Sequence, residues 1–224
     1  MNHSPIVTTH NPTHTPSKAL FLDRDGVIVY DAGYTRDPDL VCLIPGIVGL
    51  IKKAKQLGYQ IFIVTNQSGI GRKRIHLDDY QAVTQRMLDL LQQQGSLFID
   101  GICFAPYFEG SPDPVLPENQ IWEVTNSYQI PHVGCWDPLW RKPQLGMISY
   151  LVKRYHLDSQ QSMIVGDRWT DQLLAVHYPL KKGLWFCEHI DSFTESVNFL
   201  ATQPEAVQNK IVISNHLTHF IDYL

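Results

Sequence analysis

The chain has 224 residues, 44% of them hydrophobic, and a formal net charge of −4. That length and apolar content support a full buried core, and the slightly acidic balance gives no basis for binding nucleic acid through bulk positive charge. Cys42, Cys103, Cys135 and Cys187 lie far apart with no CxxC pair, which argues against a disulfide framework and for a reducing cytoplasm. No apolar run reaches the length of a membrane span.

Residues 1–17 are rich in Thr, Pro, His and Asn and lack the basic start and apolar core of a signal peptide, so they read as a flexible tail. His3, His10 and His14 are too irregularly spaced to suggest a metal site. Ala19–Leu22 predicts a buried strand that runs into Asp23-Arg24-Asp25-Gly26. A loop rich in Asp, Gly and Pro continues to about Pro45. Ile47–Leu57 carries apolar residues at helical spacing, with Gly58 as its stop. Tyr59–Thr65 is a short β-branched apolar run, read as a second buried strand.

Leu77–Gln94 predicts a helix with Val83, Met87, Leu88 and Leu91 on one face. Ile99–Phe104 predicts a third strand, and residues 105–140 read as a long irregular loop containing prolines and many aromatics. Gln144–His156 predicts a helix after Pro143, Ser162–Asp167 a strand ending on an aspartate, and Thr170–His177 a short helix. Gly183–Cys187 and Lys210–Ser214 predict further strands, with a last helix over His216–Leu224. Glu188–Asn209 is poorly patterned and reads as an inserted helical excursion.

Strands alternating with helices predict right-handed βαβ units and a parallel sheet covered on both faces. Chemistry in such sheets gathers at the carboxyl ends of the strands. Polar groups follow the apolar runs at those ends: Asp23-Arg24-Asp25-Gly26, Thr65-Asn66-Gln67-Ser68-Gly69, and Gly166-Asp167 with Asp171 beyond; Arg141-Lys142-Pro143 stands at a helix start. Three carboxylates brought together repel unless a divalent cation neutralises them; otherwise one takes a proton. Mg²⁺ suits such a site, since it takes a few carboxylate oxygens and leaves room for water and phosphate. A carboxylate there can attack phosphorus and form an aspartyl phosphate, and Gly26 lets the chain turn tightly behind it.

The motifs D-R-D-G-V, T-N-Q-S-G, R-K-P-x-x-G-M and G-D-x-x-x-D, in this order, resemble the haloacid dehalogenase (HAD) superfamily of phosphohydrolases. The likeness is to the branch that contains histidinol-phosphate phosphatase and D-glycero-D-manno-heptose bisphosphate phosphatase. It extends over "DAGYTRDPDLVCLIPG" and from about Ala19 to Cys187. Each motif alone is weak; the ordered set is specific. The resemblance implies an α/β fold, a HAD-like Rossmannoid three-layer sandwich with a central parallel sheet and no large cap domain, over residues 18–224. It implies Asp23 as nucleophile and Mg²⁺ ligand, and Asp25 as general acid and base whose carbonyl also ligates the metal. Thr65 would offer its hydroxyl to the phosphoryl oxygens, with backbone N–H groups around Asn66 adding donors, Lys142 would neutralise charge on the transferred phosphoryl group and hold Asp23 ionised, Asp167 would complete the metal site, and Asp171 would support it. Asn66, Gln67 and Arg141 would contact the substrate, Arg141 with two donors.

Blander readings stand beside these. Asp23 and Asp25 can be turn formers, Thr65-Asn66 a helix cap, Arg141-Lys142 a solvated helix start, and Asp167 and Asp171 caps of a short helix. Arg72, Lys73 and Arg74 read as a solvated basic turn, with contact to a second anionic group as the alternative, and Trp169 as core or rim packing. One departure from the branch matters. Its zinc loop has C-x-H and, directly before R-K-P, C-x-C; here those stretches are Ala105-Pro106-Tyr107 and Pro138-Leu139-Trp140. No zinc is therefore expected, and aromatic packing is expected to hold the loop instead.

The expected activity is Mg²⁺-dependent hydrolysis of a phosphomonoester on a small metabolite, a sugar phosphate such as heptose bisphosphate, by a cytoplasmic monomer. T-N-Q-S-G-I and the basic turn after it support the sugar phosphate. The alternatives are histidinol phosphate as substrate, a non-catalytic phospho-ligand binder on the same fold, and a phosphotransferase or mutase. The last would need a cap that excludes water, and no insertion is large enough for one.

Overall fold

The computed structural model describes residues 16–31, 33–95, 98–110 and 120–224. The tail expected over residues 1–17 falls outside these except at its end, where Ser17 bridges to Leu157. Strand β1 (Lys18–Leu22) leads through a 3-10 turn at Pro38–Leu40 to helix α1 (Ile47–Gln56), β2 (Tyr59–Asn66), the single turn α2 (Ser68–Gly71) and helix α3 (Leu77–Gln93). Then come β3 (Gly101–Ala105), β4 (Ile121–Glu123), β5 (His132–Cys135), a 3-10 turn at Pro138–Trp140 and α4 (Gly146–Tyr155). The chain continues as β6 (Met163–Gly166), α5 (Trp169–His177), β7 (Lys182–Phe186), α6 (Ile190–Ala201), α7 (Glu205–Gln208) and β8 (Ile211–Ser214). A 3-10 segment, Leu217–Tyr223, follows.

The strands form one sheet in the order β4-β5-β3-β2-β1-β6-β7-β8. All neighbours are parallel except the β4–β5 edge pair. Because side chains alternate along a strand, β1 feeds two cores. Leu20 and Leu22 pack with α1, α3 and the C-terminal 3-10 segment. Ala19 and Phe21 pack with α4 and α5 on the other face. This is the expected three-layer α/β sandwich, with a central sheet that is parallel but for one edge strand.

Three expectations need correction. The stretch 105–140 is not wholly irregular: β5 extends the parallel sheet beside β3, and β4 hairpins back along β5. Residues 111–119 of that loop lie outside the described residues. Glu188–Asn209 is not an insertion, since α6 and α7 are the crossover between β7 and β8, with Phe193, Leu200 and Val207 packed on the second core. His216–Leu224 forms a 3-10 segment rather than an α-helix, anchored by buried Leu217 and Phe220 against α1 and by Tyr59 Oη–H donating to the Leu224 carbonyl at 3.1 Å.

Aromatic contacts run through the described part of the loop. Phe104 meets Trp122 edge-on with ring centres 5.4 Å apart, and Trp122 stacks on Trp136 at 6.2 Å. Tyr80 of α3 packs on Phe104 at 4.6 Å, joining loop to helix.

If the C-terminal segment is core, Phe220→Ala lowers the unfolding free energy by about 3–5 kcal/mol, the usual cost of emptying a buried phenylalanine site. Exposed Leu139→Ala, in contrast, changes it by no more than about 0.5 kcal/mol. Urea denaturation of the two variants checks this; equal, small effects would contradict it.

Candidate active site

The strand order determines the site. β1 lies between β2 and β6, all parallel, so their carboxyl ends open onto one cleft. Asp23 follows β1 directly, and its N–H donates to the Val165 carbonyl at 2.9 Å, extending the β1–β6 ladder by one step. Thr65 and Asn66 end β2, Asp167 follows β6, and Asp171 lies in the first turn of α5. Lys142 enters from the turn before α4. The cleft has a volume of about 470 Å³, within the range of ligand pockets. It is lined by every site residue predicted from sequence except Asp167.

Lys142, 3% exposed, bridges two carboxylates. Its Nζ lies 2.8 Å from Asp23 Oδ2 and 2.7 Å from Asp171 Oδ1. Asn66 holds Lys142 by its backbone: Asn66 Oδ1 accepts from the Lys142 N–H at 2.9 Å, and Asn66 Nδ2 donates to the Lys142 carbonyl at 3.0 Å. Asp171 Oδ2 also accepts from the Arg168 N–H at 3.1 Å, capping α5. Two glycines make these approaches feasible. At Gly166 a Cβ would lie 2.1 Å from the Asp171 Cβ, and at Gly26, with φ +80°, a Cβ would lie 2.4 Å from Asp167 Oδ2.

Asp23, Asp167 and Asp171 each offer an oxygen within 4.8 Å of the others, a set that could hold a metal ion. Asp167 Oδ1 is buried with no hydrogen-bond partner among the described residues, which a cation would satisfy. Charge points the same way. The Asp23 pKa is raised to about 8, chiefly by burial; Lys142 opposes the rise, and Asp171 and Asp167 add to it. Burial, then Asp171, raises Asp167 to about 6. For Lys142, burial works against the charge, but Asp171 and Asp23 outweigh it and hold the ammonium above its ordinary value. Three carboxylates thus share one ammonium, and the surplus negative charge retains a proton that belongs to the cluster as a whole.

Asp25 stands apart from this cluster. Arg24 Nε donates to Asp25 Oδ1 at 3.0 Å and Arg24 Nη2 to Oδ2 at 2.8 Å. Gln67 Nε2 reaches Asp25 Oδ2 at 2.8 Å and Thr65 Oγ1 at 2.9 Å. The side-chain amides of Asn66 and Gln67 are therefore engaged with Lys142 and Asp25, while both residues line the cleft. Arg141, whose Nη1 donates to the Tyr107 carbonyl at 3.3 Å, stands at the rim. Burial, then Arg72 and Arg168, lowers its pKa, while Arg168 is itself paired with Asp31. The basic turn is not merely solvated: Arg72 lies 4.0 Å from the Phe108 ring centre and Arg74 5.4 Å from that of Tyr34. Sequence reasoning gave no role to Arg24 or to the Arg168–Asp31 pair at 2.9 Å; a cation between two carboxylates was the available signal for the first.

The polynucleotide kinase 3 phosphatase family matches residues 21–182. A D-glycero-β-D-manno-heptose-1,7-bisphosphate 7-phosphatase of Mesorhizobium japonicum is 35% identical over 173 residues, 77% of this chain and 70% of that protein. The protein of the same name from Rhodopseudomonas palustris is 35% identical over 191 residues, 85% of this chain and 95% of its own length. Among solved structures, D,D-heptose 1,7-bisphosphate phosphatase from B. bronchiseptica, complexed with magnesium and phosphate, shares the fold. Its TM-score is 0.67 at 22% identity, over 92% of this chain and 97% of that one.

The sheet, the cleft and these relatives define a phosphoric monoester hydrolase of α/β architecture. The chain belongs to the HAD superfamily, among phosphatases of the D-glycero-D-manno-heptose 1,7-bisphosphate phosphatase type, as the ordered motifs led one to expect. The alternative of a non-catalytic binder is thereby set aside.

The charge of the cluster has a measurable sign. Asp23 moves from an ordinary 3.8 to about 8 on folding, so without metal the folded chain keeps a proton that the unfolded chain releases. Its contribution to stability is full below about pH 4 and is lost as pH rises to about 8. Denaturation in chelator is expected to show stability falling over that window, with a flatter profile in Asp23→Asn. Superimposable profiles would contradict the assignment.

Proposed function

We propose that the chain hydrolyses a phosphomonoester of a sugar bisphosphate, with D-glycero-D-manno-heptose 1,7-bisphosphate the leading candidate. The carrying observation is the buried Asp23–Lys142–Asp171 arrangement at the end of the central strand. The heptose bisphosphate phosphatases matched along most of their length support the substrate. So does the nearness of Arg72 and Arg168 to Arg141, where a second phosphate would offset the positive charge that Arg141 meets.

In this reading Asp23 attacks phosphorus, the ester P–O bond breaks, and Asp25 gives its proton to the leaving alkoxide. Asp25 then takes a proton from water as that water attacks the aspartyl phosphate, which releases phosphate and restores Asp23. Lys142 keeps Asp23 oriented and offsets charge on the transferred group, with Thr65 Oγ1 donating to it. Asp23 and Asp167, with the Asp25 carbonyl, are the groups that would hold Mg²⁺, and Asp171 supports them through Lys142. Bound there, Mg²⁺ would neutralise negative charge on the phosphoryl oxygens.

The reading assigns no zinc to the 105–140 loop, since aromatic stacking supplies its staple. It also has the chain acting on a small phosphorylated metabolite rather than on nucleic acid, as a cytoplasmic monomer; among the described residues no helix is long and apolar enough to cross a membrane.

Phosphate release should be measured with Mg²⁺ on heptose 1,7-bisphosphate, histidinol phosphate, other sugar phosphates, mononucleotides and a 3′-phosphorylated oligonucleotide. Wild type is expected to favour the heptose bisphosphate, and Asp23→Asn to lose about 10³-fold or more of kcat. Full activity in Asp23→Asn would contradict the mechanism; preference for another ester would contradict the substrate. Elemental analysis of the purified protein is expected to find no stoichiometric zinc, and one zinc per chain would refute the loop assignment.

A further inference from the structure

Arg24 is a charged side chain only 4% exposed, set between two aspartates and given no part in the reaction described so far. It is anchored along its whole length. Its carbonyl accepts from the Ile28 N–H at 2.9 Å and the Val29 N–H at 3.1 Å. Its Nη1 donates to Thr84 Oγ1 of α3 at 3.2 Å, and its guanidinium carbon lies 5.2 Å from the Tyr80 ring centre. Tyr80 is fixed in turn by the buried His132 of β5, with 2.7 Å between Tyr80 Oη and His132 Nε2. A guanidinium held this way cannot follow a moving partner; it imposes an orientation on it.

The partner is Asp25. Arg24 grips both carboxylate oxygens in the two-point geometry that fixes a carboxylate plane as well as its position. Gln67 adds a second donor to Oδ2 alone. Among the described residues, then, Oδ2 has two hydrogen-bond donors and Oδ1 has one. The oxygen with spare acceptor capacity is Oδ1, on a carboxylate that lines the cleft.

We infer that Arg24 is a positioning residue for proton transfer: it locks the Asp25 carboxylate so that Oδ1 is the atom that gives the proton to the leaving oxygen and takes one from water. This rests on Asp23 and Asp25 acting as set out in the proposed function. Arg24 contributes no bond to the substrate; its effect passes through Asp25. The same clamp extends through Gln67 to Thr65 Oγ1, so the proton-transfer oxygen and a phosphoryl ligand are held in one frame. The buried side of α3 and β5, far from any substrate contact, thereby enters the rate of the reaction.

A merely structural arginine and a positioning one differ in how the leaving group matters. Phenyl phosphate and p-nitrophenyl phosphate differ chiefly in the basicity of the oxygen that departs, and only the more basic one needs a well-placed acid. For Arg24→Met, checked for native folding by circular dichroism and thermal melting, kcat/KM, which reports the steps up to formation of the aspartyl phosphate, is expected to fall about 100-fold or more for phenyl phosphate, the lower range for losing general acid–base help. For p-nitrophenyl phosphate kcat/KM is expected to fall less than about tenfold. Arg24→Lys keeps the charge but lacks the two-point grip, so it is expected to show the same split, and it carries the comparison if Arg24→Met does not fold. Equal losses on both esters, or wild-type rates on both, would overturn the inference. Asp23→Asn, run beside them, must lose both esters alike; if it retains them, the phosphatase mechanism itself fails, whatever Arg24 does.

Discussion

The site is organised around one buried ammonium. Lys142 lies between Asp23 and Asp171 at ion-pair distance from both, with almost no access to water. A charge so placed is costly to desolvate, and removing one partner of such an arrangement leaves the others uncompensated. Everything around it works to keep it there. Asn66 grips the Lys142 backbone through both atoms of its amide, Gly166 leaves room for Asp171, and α5 is capped by the same Asp171 carboxylate. The three elements that meet at Lys142 are therefore bound to each other through the group that the chemistry needs.

This arrangement still leaves negative charge in excess. Asp167 and Asp23 both sit above their ordinary range for want of solvation, and Asp167 Oδ1 has no partner among the described residues. A site with surplus negative charge is one prepared for a cation, and Arg141 of the cleft lining, with Arg72 and Arg168 near it, offers the opposite sign. A ligand that carries phosphate at two points and arrives with a divalent ion would satisfy both ends of the cleft.

Much of this was legible in the sequence for a simple physical reason. A strand buried on both faces is a short, β-branched apolar run, and in a parallel sheet the residue after it lands at the active edge. Asp23, Thr65 and Asp167 were found that way, and their order fixed the fold class. What escaped reading was built differently. β5 is His132-Val-Gly-Cys, and nothing in that string announces a buried strand, because the His132 ring finds its partner in Tyr80 from a distant helix. β4 is a three-residue edge strand with two exposed positions. The wiring of the site was equally hidden. That Gln67 turns toward Asp25, that Asn66 holds Lys142, and that Arg24 clamps Asp25 depend on which rotamer each side chain takes once three strands are side by side.

The central claim is that Asp23, held by Lys142, carries the phosphoryl group. Rapid quench of a turning-over reaction with borohydride tests it directly, since an aspartyl phosphate is reduced to homoserine and located by peptide mass. The account predicts homoserine at position 23 only, with Mg²⁺ and substrate both required. Turnover without homoserine, or homoserine at another aspartate, would contradict it.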